Sequence, residues 1–473
     1  MATFRIGESI LTYTVIGAGL RHGWLPPPLP DIPYGWEDLG AQELVDLEAF
    51  EAAGWRFHRQ PDLDWRAAEN INGGVIQAAL PALHPLGGLV ILRDLLVVSL
   101  PEGVPPLTPE DAGAEKIPIN RNVYAVRIRL PDSDLESAIV HRIAEFKKTA
   151  ERVNPDLVAE PLLLYHLQNS GALYSIGAAG PFQVRLVPTI QNHWKQIHLA
   201  EAWAAGTNGT EKGKGVWVAV IDKGFDLNNL QIQGNIKETA YVNDLGSQVQ
   251  NATIPNDRHG TMCAGLVGAI FDNQNPNGAA PECSLMLVAV ESIQSHLAIV
   301  KAIELCVAGI NGSPRADVIS CSLGLTTHPW EIWSELKNAI DAAHAAGTLV
   351  VWADFDAHER ITPDSVEGHP YTFLVGQCDS SDNPVSCGYG PTLDLLAPGV
   401  NVNGLTGSKN GCSCAAPEVA GVAALVLAKH PGLTVDALAK VITDNCSRPM
   451  HANSRTDDDG WGRLDAKLSV EKA

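Results

Sequence analysis

The sequence predicts an α/β protein with a doubly wound, mostly parallel sheet that follows a smaller α+β domain. Apolar runs between residues 216 and 352 are continuous rather than alternating, and they contain many β-branched residues. Such runs are typical of strands that are covered on both faces, as in a parallel sheet. Segments with helical apolar spacing separate them, and this alternation indicates a doubly wound fold. Polar residues follow several strands, at the edge where this fold places its functional groups.

The larger domain has an ordered series of predicted elements. Strands are predicted at 216–221, 285–290, 318–322 and 349–352, and helices at 297–308, 330–346 and 415–428. Gly309 and Gly347 end the first two helices, and Lys429 with the breakers at 430–432 ends the third. Pro417 is placed in the first turn of that third helix, where its missing N–H costs no helical hydrogen bond.

The N-terminal part of the chain has a different pattern. The predicted divisions are an unassigned region at 1–70, an α+β domain at 71–169, a linker at 170–195 and the larger domain at 196–473. Strand-like runs lie at 10–16, 89–100, 123–130 and 157–164, an amphipathic helix is predicted at 134–153, and a stiff proline connector occupies 26–30. Residues 36–70 are acidic and of helical character but receive no assignment.

Composition excludes some functions. The net charge is −21 and no run of basic residues stands out, which argues against nucleic acid or an anionic membrane as the main partner. No segment has 18 uninterrupted apolar residues, so no membrane span is expected. Residues 1–8 are a poor signal peptide, and the nine cysteines are odd in number and often lie in apolar runs. We therefore expect reduced thiols and a cytoplasmic protein.

Three polar residues lie where predicted elements begin or end. Asp222 ends the first strand, His259 opens a helix of small residues, and Ser413 lies at the mouth of the long apolar helix. Each residue also has a purely structural interpretation. Asp222 could belong to an Asp-x-Gly turn, His259 could be a buried structural histidine, and Ser413 could be an N-cap. Together they are the acid, base and nucleophile that acyl transfer requires.

The surrounding motifs resemble the subtilisin-like serine peptidases, over roughly residues 196–470. The order acid, base, nucleophile is the one found in subtilisin. The matching segments are Ala219-Val220-Ile221-Asp222, His259-Gly260-Thr261 with Ala264-Gly265, Gly278-Ala279-Ala280-Pro281, Ser322-Leu323-Gly324, and residues 394–399 and 460–466.

The resemblance implies a serine endopeptidase that needs no cofactor. Asp222 would orient His259, which would deprotonate Ser413, and a peptide substrate would pair with the backbone of Ser322, Leu323 and Gly324. Residues 123–164 resemble a prodomain, which implies a folding aid or an inhibitor whose tail occupies the cleft. Self-cleavage between about 165 and 195 and an activating partner at this region are compatible with that view. An unrelated partner-binding domain is the alternative.

Several positions depart from the family pattern. Asp356 stands where the family supplies an asparagine to the oxyanion hole beside Ser413, and an ionised carboxylate would repel an oxyanion. We expect Asp356 to be held protonated or activity to rise at lower pH; in a rival alignment Asp356 is merely solvated. Asp354 and Phe355 replace small residues of the specificity pocket, which would narrow it or favour a basic side chain.

Other departures from the family pattern leave open a binding or regulatory function instead of proteolysis. Cys412 and Cys414 flank the serine, where packing or oxidation sensitivity are the alternatives. Glu418 replaces a common histidine, and Lys223 replaces a small or acidic residue. The chain is thus an active protease or, alternatively, a weak or inactive protease fold with a binding or regulatory role. The acidic run 457–459 is a possible calcium ligand, whereas no His/Cys spacing indicates zinc.

Overall fold

The computed structural model describes most of residues 191–473 and, in residues 2–169, the backbone of nine strands. The second part lacks 206–211, 271–277, 292, 295, 326–333, 362–364 and 448–454. The predicted helix at 134–153, the proline connector at 26–30 and the linker up to residue 190 lie outside the described residues.

The nine N-terminal strands pair antiparallel with one another. They are β1 Ala2–Ile6, β2 Ser9–Val15, β3 Ala18–Arg21, β4 Trp55–His58, β5 Gln77–Leu83, β6 Leu89–Ser99, β7 Glu115–Pro118, β8 Val123–Arg127 and β9 Val158–Asn169. The four strands predicted in this region are confirmed as β2, β6, β8 and β9, and β4 lies in the segment that the sequence left unassigned. The proposed domain limits stay predictions.

A parallel sheet forms the centre of the larger domain. Its seven strands lie in the order β11-β12-β10-β14-β16-β17-β18, and every neighbouring pair is parallel. The strands of this domain are β10 Trp217–Asp222, β11 Ile236–Val242, β12 Ser284–Val290, β13 Ile293–Gln294, β14 Val318–Cys321, β15 Leu323–Leu325, β16 Leu349–Ala353, β17 Thr372–Cys378, β18 Leu393–Pro398, β19 Val402–Gly404 and β20 Gly407–Lys409. The α/β fold class is confirmed, including all four predicted strands.

Helices pack against this sheet. Those described are α1 Asn192–Gln196, α2 Leu199–Ala205, α3 Leu230–Gln233, α4 Arg258–Gly268, α5 His296–Ala308, α6 Ser334–Ala345, α7 Cys412–Lys429, α8 Val435–Asp444 and α9 Ala466–Lys472. The three predicted helices correspond to α5, α6 and α7, although α7 begins three residues before the predicted position 415.

Helix α7 is the central helix of the core. It contacts β14, β16, β17, β18 and the helix α4. Within the described ranges it is the one helix that is long and apolar enough to cross a membrane, but 89% of it is buried inside the protein. Burial of this kind is typical of a core helix, and the expectation that no segment spans a membrane stays a prediction.

The order of the strands determines which loops meet. Because β10 lies beside β14 and β14 beside β16, the residues that follow these three strands share one edge of the sheet. Those residues are Asp222 at the end of β10, Ser322 after β14 and Asp354 after β16. The predicted functional residues of three separate segments therefore meet at the carboxyl edge.

Candidate active site

The predicted acid and base lie side by side at the end of β10. Asp222 is fully buried, and its carboxylate oxygens lie 2.8 and 3.0 Å from Nδ1 of His259. The backbone N–H of Lys223 donates to the same carboxylate, and Asp257 caps α4 just before His259. Burial alone would lower the pKa of His259, but the Asp222 carboxylate outweighs it and holds that pKa well above its usual value.

Ser413 lies in the first turn of α7, where the helix dipole is positive. The N-cap is Gly411, with φ 136°, so the interpretation of Ser413 as a cap residue is wrong. Nδ1 of His259 is held by Asp222, whereas its buried Nε2 has no hydrogen-bond partner among the described residues. The thiol of Cys263 lies 3.9 Å from Nδ1 of His259 and 3.5 Å from the carbonyl oxygen of Ser413, so the histidine and the start of α7 are close together.

A proline changes the partners of the Ser413 carbonyl. Because α7 begins at Cys412, Pro417 is its sixth residue, and the prediction that it lies in the first turn is wrong. Another residue at this position would donate its N–H to the carbonyl of Ser413, but proline has no N–H. That oxygen instead accepts from the hydroxyl of Ser322 at 3.3 Å and the thiol of Cys263 at 3.5 Å. The serine is thus tied to β14 and α4.

Asp356 lies in the loop after β16 and faces the start of α7. Its Oδ1 accepts a hydrogen bond from the backbone N–H of Cys412 at 2.8 Å. Its Oδ2 is buried and has no hydrogen-bond partner in the described part of the chain. Burial raises the pKa of Asp356 to about 6, against the opposing effects of Cys412 and His259. These contacts favour a role at the site over a solvated side chain.

Two buried acids lie near the predicted specificity pocket. Asp354 is fully buried, and its Oδ1 accepts from the N–H of Phe355 at 2.9 Å; Phe355 is itself buried. Burial, and then the charge of Glu367, raise the pKa of Asp354 well above its usual value. Burial raises the pKa of Glu367 to about 7. The sequence analysis missed Glu367, which lies beyond Asp354 along the chain and outside the motifs that carried the resemblance.

The predicted peptide-binding edge is paired with the protein's own N-terminal region. Strands β13 and β15 both pair antiparallel with β9. Gly324 in β15 lies opposite Gln168, and Gln294 in β13 lies opposite Tyr165. The backbone of Leu323 and Gly324, which the resemblance assigned to a bound peptide, therefore has a strand beside it already.

Comparison with known proteins identifies the family. A profile of the subtilase family matches residues 213–462, more than half of the chain. The chain belongs to the subtilase family. Subtilisin NAT from Bacillus subtilis subsp. natto is 34% identical over 236 residues, which cover 47% of this chain and 58% of that protein. The major intracellular serine protease of Bacillus subtilis (strain 168) is 30% identical over 267 residues, which cover 52% of this chain and 80% of that protein.

A solved structure shows the same fold as this subtilase. A protease from Pseudoalteromonas arctica PAMC 21717 aligns with a TM-score of 0.51 and 24% sequence identity. The alignment covers 59% of this chain and 97% of that one. The resemblance stated from the sequence motifs is thus confirmed at the level of family and fold.

Cysteines surround the serine of this subtilase. All nine cysteines of the chain are free and buried, as the sequence analysis expected of reduced core thiols. Burial raises the pKa of Cys412 and of Cys414, which flank Ser413. A buried thiol with a raised pKa is a poor nucleophile and is oxidised slowly. Of the two interpretations of these cysteines, packing is favoured.

Glu418 forms a buried pair one and a half turns beyond Ser413. Its Oε1 lies 2.6 Å from Nδ1 of His193 in α1, and both side chains are buried. Burial raises the pKa of Glu418, and the neighbouring imidazole opposes that shift. The pair joins α1 to the helix that carries Ser413. At this point the histidine belongs to α1, as His193, and its partner in α7 is Glu418.

The sequence analysis missed Gln377, which joins the loop of Asp356 to the start of α7. Gln377 lies in β17; its Nε2 is 3.2 Å from Oδ1 of Asp356, and its Oε1 is 3.0 Å from the backbone N of Gly411. The sequence did contain a signal, because Gln377 follows the apolar run Phe373-Leu374-Val375 and an amide in a buried strand requires polar partners.

The acidic turn does not fit a calcium site. Asp457 faces the guanidinium groups of Arg360 and Arg455 at 3.5 and 3.6 Å, and Asp459 accepts from the hydroxyl of Thr456. Two cations beside the carboxylate would oppose a third.

Proposed function

We propose that this subtilase is a serine endopeptidase that hydrolyses peptide bonds through an acyl-enzyme on Ser413. The observation that carries the proposal is the Asp222–His259 pair, 2.8 Å apart, with Cys263 in contact with both His259 and the carbonyl of Ser413. The similarity to subtilisin NAT and to the intracellular serine protease supports the same activity. This chain spans 58% of the length of subtilisin NAT.

In the proposed reaction, Asp222 holds His259 with Nε2 free to act as the base. Nε2 accepts the hydroxyl proton of Ser413 while Oγ attacks the carbonyl carbon of the peptide. The imidazolium then protonates the leaving amine, which breaks the C–N bond and leaves an ester on Ser413. His259 next takes a proton from water, the hydroxide attacks the ester, and the proton returns to Ser413 as the acid product leaves.

Asp356 supplies an oxyanion donor in its protonated form. Because Oδ1 accepts from both Cys412 and Gln377, the proton belongs on Oδ2, and the backbone N–H of Ser413 is the second donor. A raised pKa of about 6 keeps part of the population protonated near neutral pH. In subtilisin itself, removal of the asparagine donor costs roughly 10²–10³-fold in kcat. In this proposal the protonated fraction of Asp356 therefore determines how fast the oxyanion intermediate forms.

The substrate is an extended peptide that pairs with Ser322, Leu323 and Gly324 through its main chain. We place a basic side chain in the pocket beside Phe355, because a bound cation would favour the ionised form of the buried acid Asp354. Cleavage of a peptide library measures this preference. Equal cleavage after basic and apolar residues would contradict it.

The N-terminal region keeps the enzyme latent in this proposal. The support is the pairing of β9 with both β13 and β15, which leaves no free edge there for a substrate strand. Release would follow self-cleavage between about 165 and 195, or binding of a partner to this region. Incubation of the purified chain, followed by mass spectrometry of its fragments, distinguishes self-cleavage from activation by a partner. A chain that stays intact yet becomes active with a partner would contradict self-processing. The cytoplasm is the proposed compartment.

Labelling by a fluorophosphonate tests the central proposal. One label per chain is expected on Ser413, and none in Ser413→Ala. Absence of labelling in the wild-type chain, before and after incubation, would instead favour a protease fold with a binding or regulatory role.

A further inference from the structure

The amide of Gln377 is enclosed by polar partners behind the candidate active site. Its side chain is only 3% exposed. Nε2 lies 3.2 Å from Oδ1 of Asp356 and 3.2 Å from the carbonyl oxygen of Ser386. Oε1 lies 3.0 Å from the backbone N of Gly411, the N-cap of α7. Hydrogen bonds thus fix both the nitrogen and the oxygen of the amide.

These partners determine the orientation of the amide. The N–H of Gly411 can only donate, so the atom that faces it is Oε1. The carbonyl of Ser386 can only accept, so the atom that faces it is Nε2. Asp356 therefore receives an N–H at Oδ1, which also receives the N–H of Cys412 at 2.8 Å. An oxygen that accepts two hydrogen bonds is poorly placed to carry a proton of its own.

We propose that Gln377 is a positioning residue that directs the proton of Asp356 to Oδ2. This inference rests on the proposed function, in which the O–H at Oδ2 donates to the oxyanion. Without Gln377, the N–H of Cys412 alone would orient the carboxyl group. The proton could then occupy either oxygen, and the fraction of molecules with a correctly placed donor would fall.

The titratable groups that face Asp356 determine whether its own titration can be followed in the rate. Those that face it are His259 on α4, Asp354 on the same loop, Cys387 after β17, and Cys412 and Cys414 on α7. Burial raises the pKa of each thiol, so the thiols stay uncharged in the acid and neutral range. Burial likewise raises the pKa of Asp354, and His259 is the facing cation.

Kinetics in two backgrounds test the inference on the full chain. Gln377→Met, which has similar volume and no amide, is compared in the wild-type and D356N backgrounds by the rate of fluorophosphonate labelling at about pH 5, where Asp356 is largely protonated. A proton shared equally by two oxygens halves the fraction of correctly placed donors, so we expect a loss of about 2-fold in the wild-type background. In D356N we expect no loss, because the amide of the introduced asparagine carries its hydrogens covalently.

The pH dependence gives a readout that a packing role would not change. Loss of the Nε2 donor removes stabilisation of the carboxylate, so Gln377→Met should move the Asp356-dependent step in the rate to higher pH. The matched control is Gln196→Met, which removes an amide whose contacts, among the residues that the structure describes, are with Cys378, Asp379 and Asp382 and do not include Asp356. It should leave the step unchanged.

The outcomes separate this inference from the proposed function. Equal losses in both backgrounds, with the pH step unmoved, would overturn the role of Gln377 while Ser413 still labels. A wild-type chain that never labels would overturn both. Thermal melting checks folding, and if Gln377→Met does not fold, Gln377→Glu keeps the acceptor for Gly411 and, when ionised, removes the donor to Asp356.

Discussion

Replacement of Asp356 by asparagine tests how the oxyanion is stabilised. The amide oxygen would keep the contact with the N–H of Cys412, and a permanent N–H donor would replace Oδ2. The wild-type enzyme has that donor only in its protonated fraction. With the pKa of Asp356 at about 6, the protonated fraction is roughly one half at pH 6, about one tenth at pH 7 and about one hundredth at pH 8.

The expected result is a rate ratio that grows with pH. D356N should label about 2-fold faster than wild type at pH 6, about 10-fold faster at pH 7 and about 100-fold faster at pH 8, and the two should converge below pH 5. The ceiling is about 10²–10³-fold, because the N–H of Ser413 still serves the ionised enzyme. His259 must be neutral in both proteins, so its own titration largely cancels in the ratio.

The assay is the second-order rate constant for fluorophosphonate labelling between pH 5 and 9 (S413A as the blank), with stoichiometry from intact mass. A ratio that does not change with pH would show that the proton of Asp356 plays no part. A D356N protein that labels more slowly than wild type at pH 8 would refute the reasoning outright.

Three further substitutions test other parts of the structure. Glu418→Ala leaves the buried His193 without its partner and should lower the free energy of unfolding by about 3–5 kcal/mol in chemical denaturation. Glu418→Gln keeps an acceptor for His193 and should lower the free energy of unfolding clearly less. Equal losses in the two variants would contradict a stabilising role of the His193–Glu418 pair. Gly260→Ala places a Cβ 2.1 Å from the carbonyl oxygen of Gly224, so the start of α4 should shift and labelling should slow by at least about tenfold; a wild-type rate would argue against a tight fit. Gln168→Pro removes a backbone N–H from β9 and should raise the initial rate of casein hydrolysis; an unchanged rate would count against β9 as an inhibitor.

The sequence predicted the centre of the sheet better than its edges. The strands β10 and β14 lie inside the sheet and are buried almost throughout, so most of their residues are apolar. Strand β11, Ile236–Val242, lies at the edge of the sheet and carries Lys237 and Glu238, which hid it from the same criterion. Apolar continuity reports burial on both faces, and an edge strand does not have it.

The site was predictable in its residue types but not in its hydrogen bonds. Asp222 and His259 could be assigned because each stands at the boundary of an element whose pattern is visible in the sequence. The contact of Asp356 with Cys412 joins residues 56 positions apart, and the contact with Gln377 depends on how two loops and a strand meet. Periodicity predicts elements, whereas these contacts depend on the relative position of elements. The true start of α7 was hidden because Pro417 is usual in a first turn.

The buried carboxyl groups make folding a proton-uptake reaction. Asp356, Glu367 and Glu418 have raised pKa values in the folded chain, so each is more protonated there than in the unfolded chain at mildly acidic pH. Their stabilising effect is complete below the unfolded pKa and disappears as pH rises through the folded one. The folded molecule thus carries less negative charge near pH 6 than its formal −21 indicates. The contribution of these three groups therefore shifts the equilibrium toward unfolding as the medium moves from weakly acidic to neutral.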